Sequence, residues 1–189
     1  MPAIEILVVC TANQCRSPMA AALLRARVPT GVTVSSAGLL PGGAPATRDA
    51  RRVVDGLDAH VSRQLSSSLV DGAALVIAME RRHVREVAVA SPDALARTFT
   101  LREFVRRASS VGPRRVAGGE SFDEWLDRVG AGRRIADLVG DDPADDVADP
   151  IGQPLAVYRA TAAELSDLLD RLVALAWPGT RPTVARADP

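Results

Sequence analysis

Ile4 to Val9 form an apolar run broken only by Glu5, rich in β-branched residues and of a length that suits a strand buried on both faces. Polar residues follow to Arg16, and then Ser17-Pro18, an N-cap followed by proline at the first helical position, leads into MAAALLRARV. A buried strand that passes through a short polar loop into a helix is the opening of a parallel α/β unit. The rest of the chain continues that alternation. Val32 to Val34 is a short strand candidate ending in Ser36-Ala37-Gly38, Thr47 to Leu57 reads as a helix, and Ala74 to Met79 as a strand. Glu80 to Val89 reads as a polar helix and Arg97 to Leu101 as a fourth strand, since Thr98, Phe99 and Thr100 favour β structure. Tyr158, Ala162, Leu165, Leu169, Leu172 and Ala176 mark the core face of a last helix that Pro154 opens. The expected fold is α/β, with helices on both faces of the sheet.

The 189 residues, 47% of them hydrophobic, suit one core, and residues 1–177 are expected to form one domain. Residues 109–148, rich in Gly, Asp and Arg, read as a helical or loop insertion with one amphipathic stretch around Phe122, Trp125, Leu126 and Val129. This insertion is a candidate partner surface. The proline-rich segment 178–189 is expected to be disordered.

Basic and acidic residues balance at 23 each, which argues against nucleic acid or an acidic membrane as partner. Every basic residue is Arg, which removes any chemistry that needs Lys, such as a Walker phosphate loop or a Schiff base. There is neither a signal-peptide pattern nor an apolar stretch of membrane-helix length. Two cysteines only five positions apart indicate local thiol chemistry in a reducing compartment, so the expected location is the cytoplasm.

Cys10 directly follows the first strand, and Arg16 stands where the helix begins. This places a thiol beneath backbone N–H groups at a helix N-terminus, a field that favours a bound anion and the thiolate alike. Arg16 can offer a planar two-pronged contact to phosphate oxygens. Asn13 tolerates left-handed backbone angles, and Ser17 can donate to the thiolate while capping the helix. The Cys-x5-Arg spacing alone is weak, because Cys10 could equally be an inert buried thiol; the full string VVCTANQCRSPMA between strand and helix carries the weight.

That string, with Ser-Ala-Gly at 36–38, HVSRQLS from His60 to Ser66, ALVIAM from Ala74 to Met79 and DPIGQPLAVYRATAAEL from Asp149 to Leu165, resembles the low-molecular-weight protein tyrosine phosphatases over most of the chain. The resemblance implies a four-stranded parallel sheet and no metal or organic cofactor. It also implies Cys10 as nucleophile, Arg16 as phosphate clamp and Asp149 as general acid. Thr11, Ala12, Asn13, Gln14, Cys15, Ser17 and Ser36 would bind phosphate or support the loop. The implied reaction is hydrolysis of a phosphorylated protein or small phosphomonoester through a cysteinyl-phosphate, and the spacing in this family suggests a protective Cys10–Cys15 disulfide, with a plain packing thiol as the alternative for Cys15. Asp142 is the rival acid, while Asp141, Asp145 and Asp146 read with it as a solvated acidic loop. His60 reads as structural, and His83 as part of a solvated helix face.

Some positions depart from the family pattern. Ala12 stands where the family often has Gly, Gln14 where the tyrosine phosphatases usually carry an apolar residue and the related arginine phosphatases Thr, and Ile151-Gly152 where an aromatic pair often stacks on a phosphotyrosyl ring. Two other functions remain open from these residues: an arsenate reductase of the same fold, although no cysteine follows Cys15 to form a relay, and a non-catalytic phosphate-binding protein.

Overall fold

The computed structural model describes residues 4–179. Its core is a four-stranded parallel sheet in the order β2-β1-β3-β4. The elements run β1 (Ile4–Cys10), α1 (Arg16–Arg25), β2 (Val32–Gly38), α2 (Arg48–Val53), α3 (Ser67–Asp71), β3 (Leu75–Ala78), α4 (Arg81–Ala90), β4 (Thr98–Thr100), α5 (Leu101–Val111), α6 (Phe122–Gly130) and α7 (Leu155–Ala176). Alternation along β1 builds both faces, because successive side chains of a strand point to opposite sides. Ile6, Val8 and Cys10 join the larger core with Met19, Leu24, Leu165 and Leu169 of α1 and α7. Leu7 and Val9 face Val70, Val76 and Val87 on the other side. This double burial is the reason the opening run carries almost no polar residue.

The α/β reading holds, with shifts at the edges. β2 runs on through Ser35 to Gly38, residue by residue against β1, so that Cys10 lies opposite Gly38. The expected helix Thr47–Leu57 keeps only Arg48–Val53; Thr47 caps it through its side chain, Val54 is already extended, and Leu57 is buried outside any helix. β4 is cut to three residues because Thr100 turns into an N-cap, accepting from the Glu103 N–H at 3.2 Å, and Leu101 starts a helix, α5, in place of ending the strand.

Of the segment 109–148, residues 109–111 complete α5. Its amphipathic stretch is α6, opened by a Ser121–Glu124 capping box. The apolar face of α6 extends the core: Trp125 meets Phe104 edge-on at 5.7 Å, and Phe122 stacks on Trp177 at 5.6 Å. Among the described residues no helix is long and apolar enough to cross a membrane. The disorder expected from 178 onward lies, apart from Pro178 and Gly179, outside the described residues.

Candidate active site

The carboxyl ends of β1, β2 and β3 meet where the strand order reverses about β1, the place where open parallel sheets receive ligands. From the end of β1 the chain turns through residues 11–15 into α1. The turn depends on Asn13, the only non-glycine among the described residues with a positive φ, at 53°. Asn is among the few side chains that accept this region without large strain, and here its side-chain polar atoms and its carbonyl are all used. Its Nδ2 donates to Ser17 Oγ at 2.9 Å and Ser36 Oγ at 2.8 Å, its Oδ1 accepts the Arg63 N–H at 3.0 Å, and its carbonyl accepts from His60 Nε2 at 2.7 Å. His60 is thus a structural group, as expected.

Gly38 underlies the same turn. A Cβ there would stand 2.7 Å from the Asn13 nitrogen and 2.9 Å from the Thr11 carbonyl oxygen, so the loop rests directly on its backbone. Its opposition to Cys10 in the β1–β2 register is the reason, and a sequence without the pairing does not reveal it.

Cys10 Sγ lies 3.0 Å from Ser17 Oγ, and both groups are buried. Because Asn13 already donates to that oxygen, the Ser17 proton can serve the sulfur, with the Ala37 carbonyl a more distant acceptor at 3.4 Å. Ser17 does not cap the helix. α1 starts two residues earlier than expected, at Arg16, with Cys15 as N-cap and no side-chain cap, which leaves the first-turn N–H groups free for an anion. Cys15 is 2% exposed; burial first, then the nearby Asp149 carboxylate, pushes its thiol up to about 12. It sits beside the hydroxyls of Thr47 and Tyr158.

Arg16 is almost wholly buried, and its guanidinium is held from two sides. Nη1 pairs with Glu80 and donates to the Val147 carbonyl at 3.0 Å, while Nη2 donates to Asp149 Oδ2 at 2.6 Å and lies 3.5 Å from Thr11 Oγ1. Burial works against the charge of Glu80, but Arg82 and Arg16 outweigh it and hold this carboxyl below its usual range. Glu80 was read only as the start of a polar helix. Its position at the mouth of β3 was the available signal: as N-cap of α4 it makes no side-chain cap, and its carboxylate turns to Arg16 instead.

Asp149 arrives by a long route. Val147 donates its N–H to the Met79 carbonyl at 2.8 Å, docking the segment against the end of β3. Asp149 Oδ1 then accepts the Ile151 N–H at 3.2 Å, which fixes the carboxylate. Of the other acids, Asp141 lies in solvent as the sequence suggests, while Asp145 does not. Asp145 is buried between Arg81 at 2.9 Å and Arg106 at 2.6 Å, and Asp146 accepts the Arg81 N–H at 2.9 Å. Asp141 pairs with Arg85, and Asp142, the rival acid, pairs with Arg81. Glycine-, aspartate- and arginine-rich composition looks like solvent-facing loop, yet Asp145 within it is buried between two guanidinium groups. His83 also departs from expectation: it is fully buried, with Nε2 at 3.1 Å from Thr11 Oγ1.

Among the described residues no group of three or more His, Cys, Asp or Glu side chains is arranged to hold a metal ion. At the rim stand Leu40, whose N–H bonds the Thr11 carbonyl, and Ile151, both substantially exposed.

A thiol and a buried guanidinium within one anion-binding turn, closed by a carboxylate from a distant segment, define a cysteine enzyme that handles oxyanions. Comparison with known proteins agrees. The sequence model of the low molecular weight phosphotyrosine protein phosphatases matches residues 5–131. A protein-arginine-phosphatase of Geobacillus stearothermophilus is 37% identical over 172 residues, 89% of this chain and 93% of that one. The low molecular weight protein tyrosine phosphatase of T. tengcongensis superposes with a TM-score of 0.65 at 31% identity, covering 90% of this chain and 97% of the other. A YwlE arginine phosphatase mutant with a phosphorylated active-site serine superposes with a TM-score of 0.65 at 28% identity, over 90% and 93% of the two chains. The chain belongs to the low molecular weight phosphotyrosine protein phosphatase family and is a hydrolase of that kind.

Proposed function

We propose that this protein removes phosphoryl groups from protein side chains by way of a phosphorylated Cys10, with phosphoarginine favoured over phosphotyrosine. The observation that carries this reading is the shared guanidinium: Arg16 Nη2 holds Asp149 Oδ2 at 2.6 Å from within the Cys10 turn, so clamp and acid converge on one spot. An incoming phosphoryl group takes Asp149's place on Arg16 and on the free amides at the start of α1. Cys10 Sγ attacks phosphorus, and the bond to the leaving atom breaks as Asp149 delivers its proton there. Asp149 then takes a proton from a water that attacks the cysteinyl-phosphate, releasing inorganic phosphate and the Cys10 thiolate. Ser17 stabilises that thiolate through the 3.0 Å contact. Thr11, Ala12, Gln14 and Cys15 shape the turn, and Ser36 holds Asn13.

The choice of leaving group rests on the rim. Gln14 gives a polar wall, and Ile151 supplies no aromatic face for a phosphotyrosyl ring to stack on. The name of the Geobacillus relative supports the same preference. The two free thiols suit the reducing cytoplasm.

Hydrolysis of p-nitrophenyl phosphate by wild type and Cys10→Ser, with vanadate as inhibitor, tests the mechanism. Paired phosphoarginine and phosphotyrosine peptides test the preference. Vanadate-sensitive turnover confined to wild type, with a higher kcat/KM on phosphoarginine, is expected. Retained turnover in Cys10→Ser overturns the nucleophile, and faster phosphotyrosine hydrolysis overturns the preference.

A further inference from the structure

Buried His83 has no part in the chemistry above. Its ring is fully buried in α4, Nε2 lies 3.1 Å from Thr11 Oγ1, and Nδ1 has no partner at all. Thr11 directly follows Cys10, and its hydroxyl has two lone pairs and one proton. Arg82 Nη2 approaches that oxygen to 2.5 Å and Arg16 Nη2 to 3.5 Å; guanidinium groups can only donate.

Those facts decide which nitrogen of His83 carries the proton. A proton on Nδ1 would bury an N–H with no acceptor, whereas a bare Nδ1 leaves only an unused lone pair, the less costly omission. A doubly protonated ring would carry the same orphan N–H and add a charge beside Arg16 and Arg82. Burial first, with those two cations, pushes the ring down to about 3 even though Glu80 pulls the other way. His83 is therefore neutral and protonated on Nε2, which donates to Thr11.

With Nε2–H and Arg82 both donating, the lone pairs of Thr11 Oγ1 are filled, and none of its three polar neighbours can accept its proton. We infer that His83 is a positioning residue that makes the Thr11 hydroxyl an obligate donor into the phosphoryl site, adding a side-chain hydrogen bond to those of the loop amides. The inference rests on the Cys10–Arg16 turn being the phosphoryl site. Arg82 plays a lesser part, since it is half-exposed and also paired with Glu80.

The first test is the tautomer of wild type, read from long-range proton–nitrogen correlations of the His83 ring. Nε2–H, unchanged between about pH 5 and 8, is expected, and Nδ1–H or a titrating ring overturns the inference without any variant having to fold. The second is a double-mutant cycle on kcat. Thr11→Val is expected to lower kcat about 10²-fold, the usual loss for one oxyanion donor, with little change in KM, while Thr11→Ser keeps most of the activity. His83→Leu should cost about tenfold and His83→Gln, whose amide N–H can take the place of Nε2–H, should recover most of it. The Thr11→Val/His83→Leu double variant should be no slower than Thr11→Val alone. Full additivity of the two losses, or a folded His83→Leu with unchanged kcat, overturns the inference. Failure of the phosphatase reading itself has a different mark, the absence of wild-type turnover or its survival in Cys10→Ser.

Discussion

The turn from Cys10 to Ser17 and the acidic segment from Asp141 to Asp149 both end on Arg16, but they are built from different forces. The turn contains one charged residue and is tied by neutral hydrogen bonds through Asn13, Ser17, Ser36 and backbone groups, all within or beside the strands that carry it. The acidic segment is held by guanidinium groups of α4 and α5 that grip Asp141, Asp142 and Asp145. A nucleophile and its anion cradle must be placed before substrate arrives, and short neutral bonds in a buried turn do that without depending on salt or pH. In the proposed mechanism Asp149 must be able to leave Arg16 when substrate arrives, and ion pairs on a partly exposed segment allow it.

The contrast is open to experiment, and the largest effect belongs to the turn. Cys10→Ser is expected to lose all measurable turnover while vanadate still binds, because the amide cradle survives; loss of vanadate binding as well would mean that the thiol itself organises the turn. Next is Asp149→Ala, with a loss of about 10²- to 10⁴-fold on poor leaving groups and much less on p-nitrophenyl phosphate. Asp142→Asn should leave kcat within about twofold, as for an exposed ion pair, and the reverse ranking would make Asp142 the acid.

Gly38→Ala probes the rigid side. The added methyl must displace the loop backbone at Asn13, so a stability loss of about 1–3 kcal/mol and a lower kcat on every substrate are expected from thermal unfolding and kinetics. Arg81→Leu probes the other side: it removes the guanidinium that pairs with Asp142 and shares Asp145 with Arg106, leaves the main-chain N–H that holds Asp146, and should slow poor leaving groups selectively. Alkylation of Cys10 by iodoacetate should keep its wild-type rate. An equal loss of both would show that turn and segment are one unit.

The smallest effect is on acid tolerance. Burial raises Asp145, but Arg106 and Arg81 outweigh it and hold the folded carboxyl below its ordinary 3.8. Its contribution to stability is thus present above that value and lost as pH falls through the lower folded one. Asp146 has the opposite sign, since burial raises it, and its protonation at higher pH relieves the folded state. Hydrogen exchange should therefore show residues 141–149 loosening only below about pH 4, before the turn, which holds no carboxylate.

The strand–turn–helix was legible because it is local: an apolar run, a loop of small polar residues and a helix start leave few other ways to fold. Cys10, Arg16, Asn13 and Ser17 all fall within that span, whereas the family resemblance, and no local pattern, singles out Asp149 over Asp142, which also precedes a proline. His83 and Asp145 were misread because a polar residue in a polar stretch gives no sign that its partner lies far along the chain: Thr11 is 72 residues away from His83, and Arg106 is 39 from Asp145.

The sequence by itself determined the parallel α/β order and the thiol-and-arginine turn, since hydrophobic periodicity and loop chemistry act over a few neighbouring residues. Only the tertiary structure decided that Glu80 and Asp149 share Arg16, that Gly38 must lack a side chain, and that His83 reaches Thr11. These depend on strand order and register, and thus on which distant residues the sheet brings to one end, information that no local stretch of chain carries.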